Sequence, residues 1–194
     1  MSNGLTNGQE KVLLTGVSGF IGLHCAKQLI ETGFKVRGTV RSHEKQTQVE
    51  NVMATHNIDA ESLEFTLFDL TTDAGWEAAM EGCDYVMHVA SPFWIANPKS
   101  EAEMMAPDIE GTLRVLRAAQ KAKVKRVILT SSIVSMMSSI RRGVFTADDW
   151  TDVTYPNLST YIKSKTLAER AAWNFVDENE GPELVVIAPG GVLG

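Results

Sequence analysis

Tyr161 and Lys165, in Tyr161-Ile-Lys-Ser-Lys165, lie in a stretch whose spacing predicts a long helix from about Asn157 to Glu180. Side chains at i and i+4 share a helix face and can meet. A phenol beside an ammonium becomes a stronger acid, because the positive charge stabilises the phenolate. It can then exchange a proton near neutral pH. A third group comes from Thr130-Ser131-Ser132, at the end of an apolar run, where a hydroxyl can hydrogen-bond a substrate carbonyl. Tyr-x-x-x-Lys alone is common, and a solvated surface pair is its ordinary meaning. Beside a serine pair and the glycine loop described next, it reads as a proton-transfer set.

The loop Thr15-Gly-Val-Ser-Gly-Phe-Ile-Gly22 places glycines at 16, 19 and 22, between an expected strand and an expected helix. Gly16 suits a tight turn, Gly19 lets backbone approach a pyrophosphate, and Gly22 lets the helix sit close to the sheet. The phosphate would then meet the free N–H groups of the helix start at Phe20 and Ile21. A plain strand-to-helix turn with incidental glycines is the competing reading, and the strand–loop–helix context favours the dinucleotide one. The next strand ends in Val36-Arg-Gly-Thr-Val-Arg41-Ser42, with no acid before Glu44. An acid there would grip the ribose 2′-hydroxyl of NAD, whereas a base accommodates the 2′-phosphate of NADP. Arg41 can stack on adenine and pair that phosphate, so the expected cofactor is NADP(H).

These groups need a scaffold that gathers them. Short apolar runs alternate with helical ones, which is the pattern of a parallel α/β sheet. Strands are expected at Lys11–Gly16, Lys35–Arg41, Leu63–Leu70, Asp84–Ala90, Val127–Thr130 and Glu183–Ala188. Helices are expected at Phe20–Thr32 (ended by Gly33), Glu44–His56, Trp76–Met80, Glu101–Ala122 and Asn157–Glu180. Leu113, Leu116 and Ala119 are expected to share the apolar face of the Glu101–Ala122 helix. Ser131 to Ser139 reads as an active-site loop. Right-handed crossovers give a doubly wound sheet in the order 3-2-1-4-5-6, which binds ligands at the carboxyl ends of its strands, near the switch between strands one and four.

Of the 194 residues, 44% are apolar and 22% charged, a globular balance, and the net charge of −6 argues against a nucleic-acid partner. No apolar run reaches the roughly 20 residues of a membrane helix. The polar tail at 1–10 has no apolar signal core, so a cytoplasmic protein is expected. Two cysteines, Cys25 and Cys83, make neither a disulfide framework nor a zinc cluster. Asp148 and Asp149 lack companion ligands, and no metal is expected. His88 reads as a core histidine, Cys25 as a packing residue, and Trp150 and Trp173 as packing or subunit contacts. Phe93 and Trp94 could wall a pocket or lie buried under the neighbouring loop.

The chain resembles the extended short-chain dehydrogenase/reductase superfamily, of NAD-dependent epimerase/dehydratase type, in its dihydroflavonol reductase and cinnamoyl-CoA reductase branch. Besides the glycine loop and Tyr161-x-x-x-Lys165, the resemblance rests on Thr39-Val-Arg41, Phe68-Asp-Leu70, His88-Val-Ala-Ser-Pro92, Ile109-Glu-Gly-Thr112, Leu129-Thr-Ser-Ser132 and Pro189-x-x-Val-x-Gly194. It implies a Rossmann fold over 11–194 and hydride transfer from NADPH to an aldehyde or ketone. Ser132, Tyr161 and Lys165 would be catalytic, with Lys165 also holding the nicotinamide ribose. Arg41 would meet the 2′-phosphate, Asp69 and Leu70 the adenine, and Val89, Ala90 and Ser91 the cofactor's middle. Thr130 would line the cofactor beside the serines, and Pro189 and Val192 the nicotinamide.

The family pattern has a further base near Lys45, but the aligned position is Gln48. Dihydroflavonol reductases place an asparagine where Met137 stands, so a smaller or more apolar carbonyl compound is expected instead of a flavonoid. The family's substrate-binding lobe follows its Pro-x-x-Val-x-Gly segment and is expected to be missing here, leaving a chain prone to self-association or homo-oligomer formation. A non-catalytic NADP(H)-binding module or sensor, and a nucleotide-sugar epimerase or dehydratase, are the alternatives on this scaffold.

Overall fold

In a computed structural model, the apolar runs form one parallel sheet. The strands are β1 (Lys11–Thr15), β2 (Lys35–Val40), β3 (Leu63–Leu67), β4 (Tyr85–His88), β5 (Arg126–Thr130) and β6 (Glu183–Ile187). They lie in the order β3-β2-β1-β4-β5-β6, with every neighbouring pair parallel. The helices are α1 (Phe20–Glu31), α2 (His43–Thr55), α3 (Trp76–Met80), α4 (Glu101–Lys121), α5 (Val134–Met137) and α6 (Thr160–Glu178). The structure describes residues 10–58, 60–69, 71–91, 100–139 and 142–193. The N-terminal tail at 1–9 and Leu70, Pro92, Phe93, Trp94 and Gly194 lie outside the described residues.

The sheet is buried on both faces, as parallel sheets are, and β1 shows why its sequence is a run of apolar residues rather than an alternation. Leu13 faces α3, α4 and α6, in a core with Trp76, Val86, Val115, Leu116, Val127 and Ala172. Leu14, one residue on, faces α1 and α2 with Val17, Ala26, Val36, Val49 and Met53. Both leucines are fully buried, and each such side chain contributes on the order of 2 kcal/mol by leaving water. On α4 the buried stripe runs through Val115, Leu116, Ala118 and Ala119, while Leu113 is only partly covered.

Several element ends differ from the sequence expectation, and local bonds account for them. β2 stops at Val40, since Ser42 caps α2 by accepting from the Lys45 N–H at 3.3 Å. β3 stops at Leu67, opposite Val40, where the Asp69 carboxylate turns the chain by accepting from the Thr71 N–H. β4 stops at His88, because the Ala90 N–H donates to the Thr15 hydroxyl at 3.1 Å instead of to a strand. β5 starts one residue early, at Arg126, whose guanidinium pairs with Glu183 on β6. α6 starts at Thr160, because Asn157 has a left-handed φ of 64° and Ser159 caps the first turn. Within the segment 131–139, expected as a loop, α5 forms a single turn. It is held to the chain that follows by bonds from the Thr151 N–H to the Ser135 carbonyl at 2.7 Å and from the Ser138 N–H to Thr151 Oγ1 at 2.9 Å.

The tightest constraint lies where α1 meets β1. A Cβ on Gly22 would sit 2.2 Å from the Gly16 carbonyl oxygen. Helix propensity alone favours alanine over glycine by about 1 kcal/mol, but a backbone clash of this kind costs about 1–3 kcal/mol. Gly22→Ala should therefore lower the urea midpoint of unfolding. A raised midpoint would mean that the helix does not need this approach.

Candidate functional site

The carboxyl ends of β1, β2, β4 and β5 open onto one edge of the sheet, and the glycine loop sits at its centre. Gly16 has φ +71°, and a Cβ there would lie 2.9 Å from Ala90, so the loop presses directly on the segment after β4. The Gly19 N–H closes the turn onto the Gly16 carbonyl at 3.0 Å. The N–H groups of Phe20, Ile21 and Gly22, in the first turn of α1, have no carbonyl one turn back to receive them. No side chain caps this helix start, and its first turn contains no acid. A Cβ on Gly19 would touch only the Gly16 carbonyl, at 3.4 Å, and otherwise meet open space. The chain's own packing therefore leaves room for a side chain at Gly19, and glycine keeps that room open. Uncapped donors beneath a space that a side chain would fill suit an anionic group, and the residues present fit a dinucleotide's pyrophosphate.

β1 and β4 are locked together beside this loop. The Thr15 hydroxyl lies 2.8 Å from His88 Nδ1 and accepts from the Ala90 N–H. Burial pushes the His88 pKa down to about 3, so the imidazole stays neutral. His88 is thus the core histidine expected from the sequence. Val89 and Ala90 follow it, partly exposed beside Gly16. Arg41 is exposed directly after β2, with Asp69 beside it at the end of β3. Hydrogen bonds from the Thr71 N–H and hydroxyl, aided by the Arg41 charge, hold the Asp69 carboxyl below the usual carboxylate range. Lys45 is tied to Gln48 on α2 at 2.9 Å.

On the other side of the switch point, α6 packs against α4 and α5. Tyr161 is half-buried on its first turn, and Lys165, only 8% exposed, lies one turn later. Lys165 Nζ donates to Ser91 Oγ at 2.5 Å. Ser91 donates in turn to Asp108 Oδ1 at 2.8 Å, while Ser164 donates to Asp108 Oδ2 at 2.6 Å. Asp108, on α4 and 5% exposed, stands 3.8 Å from the lysine nitrogen. Burial pushes the Lys165 ammonium below the ordinary lysine pKa, and the Asp108 charge pushes it back up. The Ser91 proton goes to Asp108, so its hydroxyl can meet a further group only as an acceptor.

The two serines after β5 differ. Ser131 donates to Glu169 on α6 and lies 3.0 Å from the Ser135 hydroxyl. Its hydroxyl therefore faces the packing between α5 and α6. Ser132 Oγ has only a long contact, 3.5 Å from the Val134 N–H, among the described residues. The chain leaving β6 returns to this loop, with Ser131 N–H bound to the Ile187 carbonyl at 2.8 Å and Ile133 N–H to the Pro189 carbonyl at 3.0 Å. Thr130 is the last residue of β5, paired with Ile187, and Val192 is half-exposed.

Three supporting residues were not singled out in the sequence. Asp108 and Glu169 are single acids on amphipathic helices, and Thr151 lies in an irregular segment. Only Glu169 carries a sequence signal, its helical phase: it falls two turns from Tyr161 and one from Lys165, so it shares their face. Trp150 lies under the Arg170 guanidinium, 5.2 Å from its ring centre, and Trp173 packs on the larger core. Asp149 turns its carboxylate back to the Thr146 N–H at 2.7 Å. Cys25 packs against the Leu14 core. No helix among the described residues is long and apolar enough to cross a membrane.

The chain is similar to known proteins in sequence and in fold. Anthocyanidin reductase ((2S)-flavan-3-ol-forming) from Vitis vinifera is 35% identical over 191 residues, covering 94% of this chain and 56% of that protein. Dihydroflavonol 4-reductase from Arabidopsis thaliana is 35% identical over 195 residues, covering 96% of this chain and 50% of that protein. This chain spans about half the length of the curated relatives it matches. Among solved structures, the yeast methylglyoxal/isovaleraldehyde reductase Gre2, complexed with NADPH, superposes with a TM-score of 0.80 at 26% identity, over 93% of this chain and 57% of that one. The NAD dependent epimerase/dehydratase family matches residues 12–194, and the chain belongs to that family.

Proposed function

We propose that this chain forms the NADP(H)-binding part of a reductase that converts an aldehyde or ketone to the alcohol. The observation that carries this reading is the Lys165 ammonium, buried one turn from Tyr161 on α6, at the same sheet edge as the glycine loop and Ser132. A buried charge is costly, and a plain surface pair would have no reason to bear that cost. The relatives named as reductases, and the neighbour solved with NADPH, support the reading. Under it the Phe20, Ile21 and Gly22 N–H groups hold the pyrophosphate. Arg41 takes the 2′-phosphate and stacks on the adenine, which Asp69 and Leu70 border. Val89, Ala90 and Thr130 line the middle of the cofactor, and Pro189 and Val192 its nicotinamide end.

When bound, the reduced nicotinamide supplies a hydride to the carbonyl carbon. Ser132 donates a hydrogen bond to the carbonyl oxygen, which fixes its orientation and favours the charge that develops there. Tyr161 gives its phenolic proton to that oxygen, so the product leaves as a neutral alcohol. Lys165 favours the resulting phenolate by its charge and holds the nicotinamide ribose. Met137, on α5 beside the serine loop, offers an apolar surface with no strong donor, which favours a compact or apolar carbonyl substrate over one rich in hydroxyls.

Removing Arg41 should cost one charge-assisted contact, about 1.5–3 kcal/mol, or roughly 10- to 100-fold in affinity. Calorimetric titration of Arg41→Ala should show this loss for NADPH and a much smaller one, from lost stacking on the adenine, for NADH. Equal losses for both would remove the 2′-phosphate assignment.

Tyr161→Phe, assayed in the full-length protein, should lower carbonyl reduction by about 10²–10⁴-fold and leave NADPH affinity nearly intact. Lys165→Ala should impair both. Retained turnover in Tyr161→Phe would mean that another group supplies the proton.

A further inference from the structure

We propose that Asp108 is a positioning residue for Lys165, supplying its buried counter-charge and, through Ser91, fixing where its ammonium points. The inference rests on the reading of Lys165 as the group that serves Tyr161 and the cofactor ribose.

Asp108 is buried on α4 and accepts from Ser91 and Ser164 on separate carboxylate oxygens. These three residues come from three elements: the segment after β4, helix α4 and helix α6. The bond directions are fixed, because an ammonium only donates and a carboxylate only accepts. Ser91 must therefore accept from Lys165 and donate to Asp108, which commits one of the three ammonium protons to Ser91 and leaves the others to point elsewhere. A simple packing pin between α4 and α6 would need only the Ser164 bond. It would not need a carboxylate 3.8 Å from the lysine nitrogen at a position with almost no water.

The other titratable groups around Lys165 do not replace this charge. His88 at the end of β4 is neutral above pH 7. Glu169, one turn further along α6, is engaged with Ser131. Tyr161 is the group that Lys165 itself serves. Residues 134–137 of α5 contain no titratable side chain. Burial already favours loss of the lysine proton, and Asp108 opposes it. Removing the carboxylate should therefore let the proton leave at lower pH.

The test is NMR titration of this chain labelled with ¹³C at lysine Cε, from pH 7 to 11, with the Lys165 signal assigned by its loss in Lys165→Met. An opposite charge within about 4–6 Å shifts a pKa by about 1–3 units. The Lys165 titration should thus move down by about one pH unit or more in Asp108→Asn and return towards the wild-type position in Asp108→Glu. An unchanged midpoint in Asp108→Asn would overturn the proposal. If Asp108→Asn does not fold, the double variant Asp108→Asn/Lys165→Met decides. Recovery of folding when both charges are gone supports a counter-charge, whereas a double variant that also fails makes Asp108 a structural pin and overturns the proposal. No cofactor enters these measurements, so they stand apart from the functional reading. NADPH titration of Asp108→Asn at pH 9 tests that reading separately: several-fold weaker binding than wild type supports it. Unchanged affinity despite a shifted lysine removes Lys165 from ribose binding and leaves its counter-charge assigned.

Discussion

A lysine ammonium with 8% of its surface exposed cannot be left unpaired, because the interior does not replace the water that a charge loses. The groups that satisfy Lys165 come from the segment after β4, from α4 and from α6, so the ion pair joins the two longest helices to the centre of the sheet. Its position also fixes that of Tyr161, one helical turn away. A second polar lock, from Thr15 to His88 and Ala90, ties β1 to β4 at the switch point. Between them these locks satisfy the polar groups buried at this edge of the sheet, and neither presents an uncompensated charge.

The glycine loop lies against the second of these locks, with Gly16 on Ala90. Its three glycines serve different ends. Gly16 turns with a left-handed φ against Ala90, Gly22 admits the helix onto the loop's own carbonyl, and Gly19 leaves open space above uncapped N–H groups. The first two answer the chain's own packing, whereas at Gly19 a side chain would have room and would stand in that open space. The parallel order of the strands brings the loop, Arg41, the Thr15–His88 lock and the serine loop to the same edge.

Much of this was legible in the residues. Buried parallel strands read as apolar runs, and these gave all six strands and their order. The glycine spacing and the i,i+4 pair marked both halves of the site. Strand ends were less legible, because they are set by side-chain bonds: Asp69 to Thr71, Ser42 to Lys45 and Thr15 to Ala90. A one-turn helix such as α5 is too short to show periodicity. Asp108 was hidden for a different reason. On an amphipathic helix a single acid reads as surface, and only the packing of α4 against α6 shows that it is inside. Choosing Ser132 over Ser131 required the family resemblance, whereas the structure offers its own ground in the engagement of Ser131 with Glu169.

The central claim is that the ends of β1, β2, β4 and β5 form one NADP(H) site. Hydrogen–deuterium exchange of this chain, with and without saturating NADPH, tests it most directly. Exchange should slow together at Gly16–Gly22, Arg41–Ser42, Val89–Ser91 and Ser131–Ile133, with the N–H groups of Phe20, Ile21 and Gly22 among the most protected. Protection that misses the glycine loop, or no protection at any of these segments, would contradict the assignment.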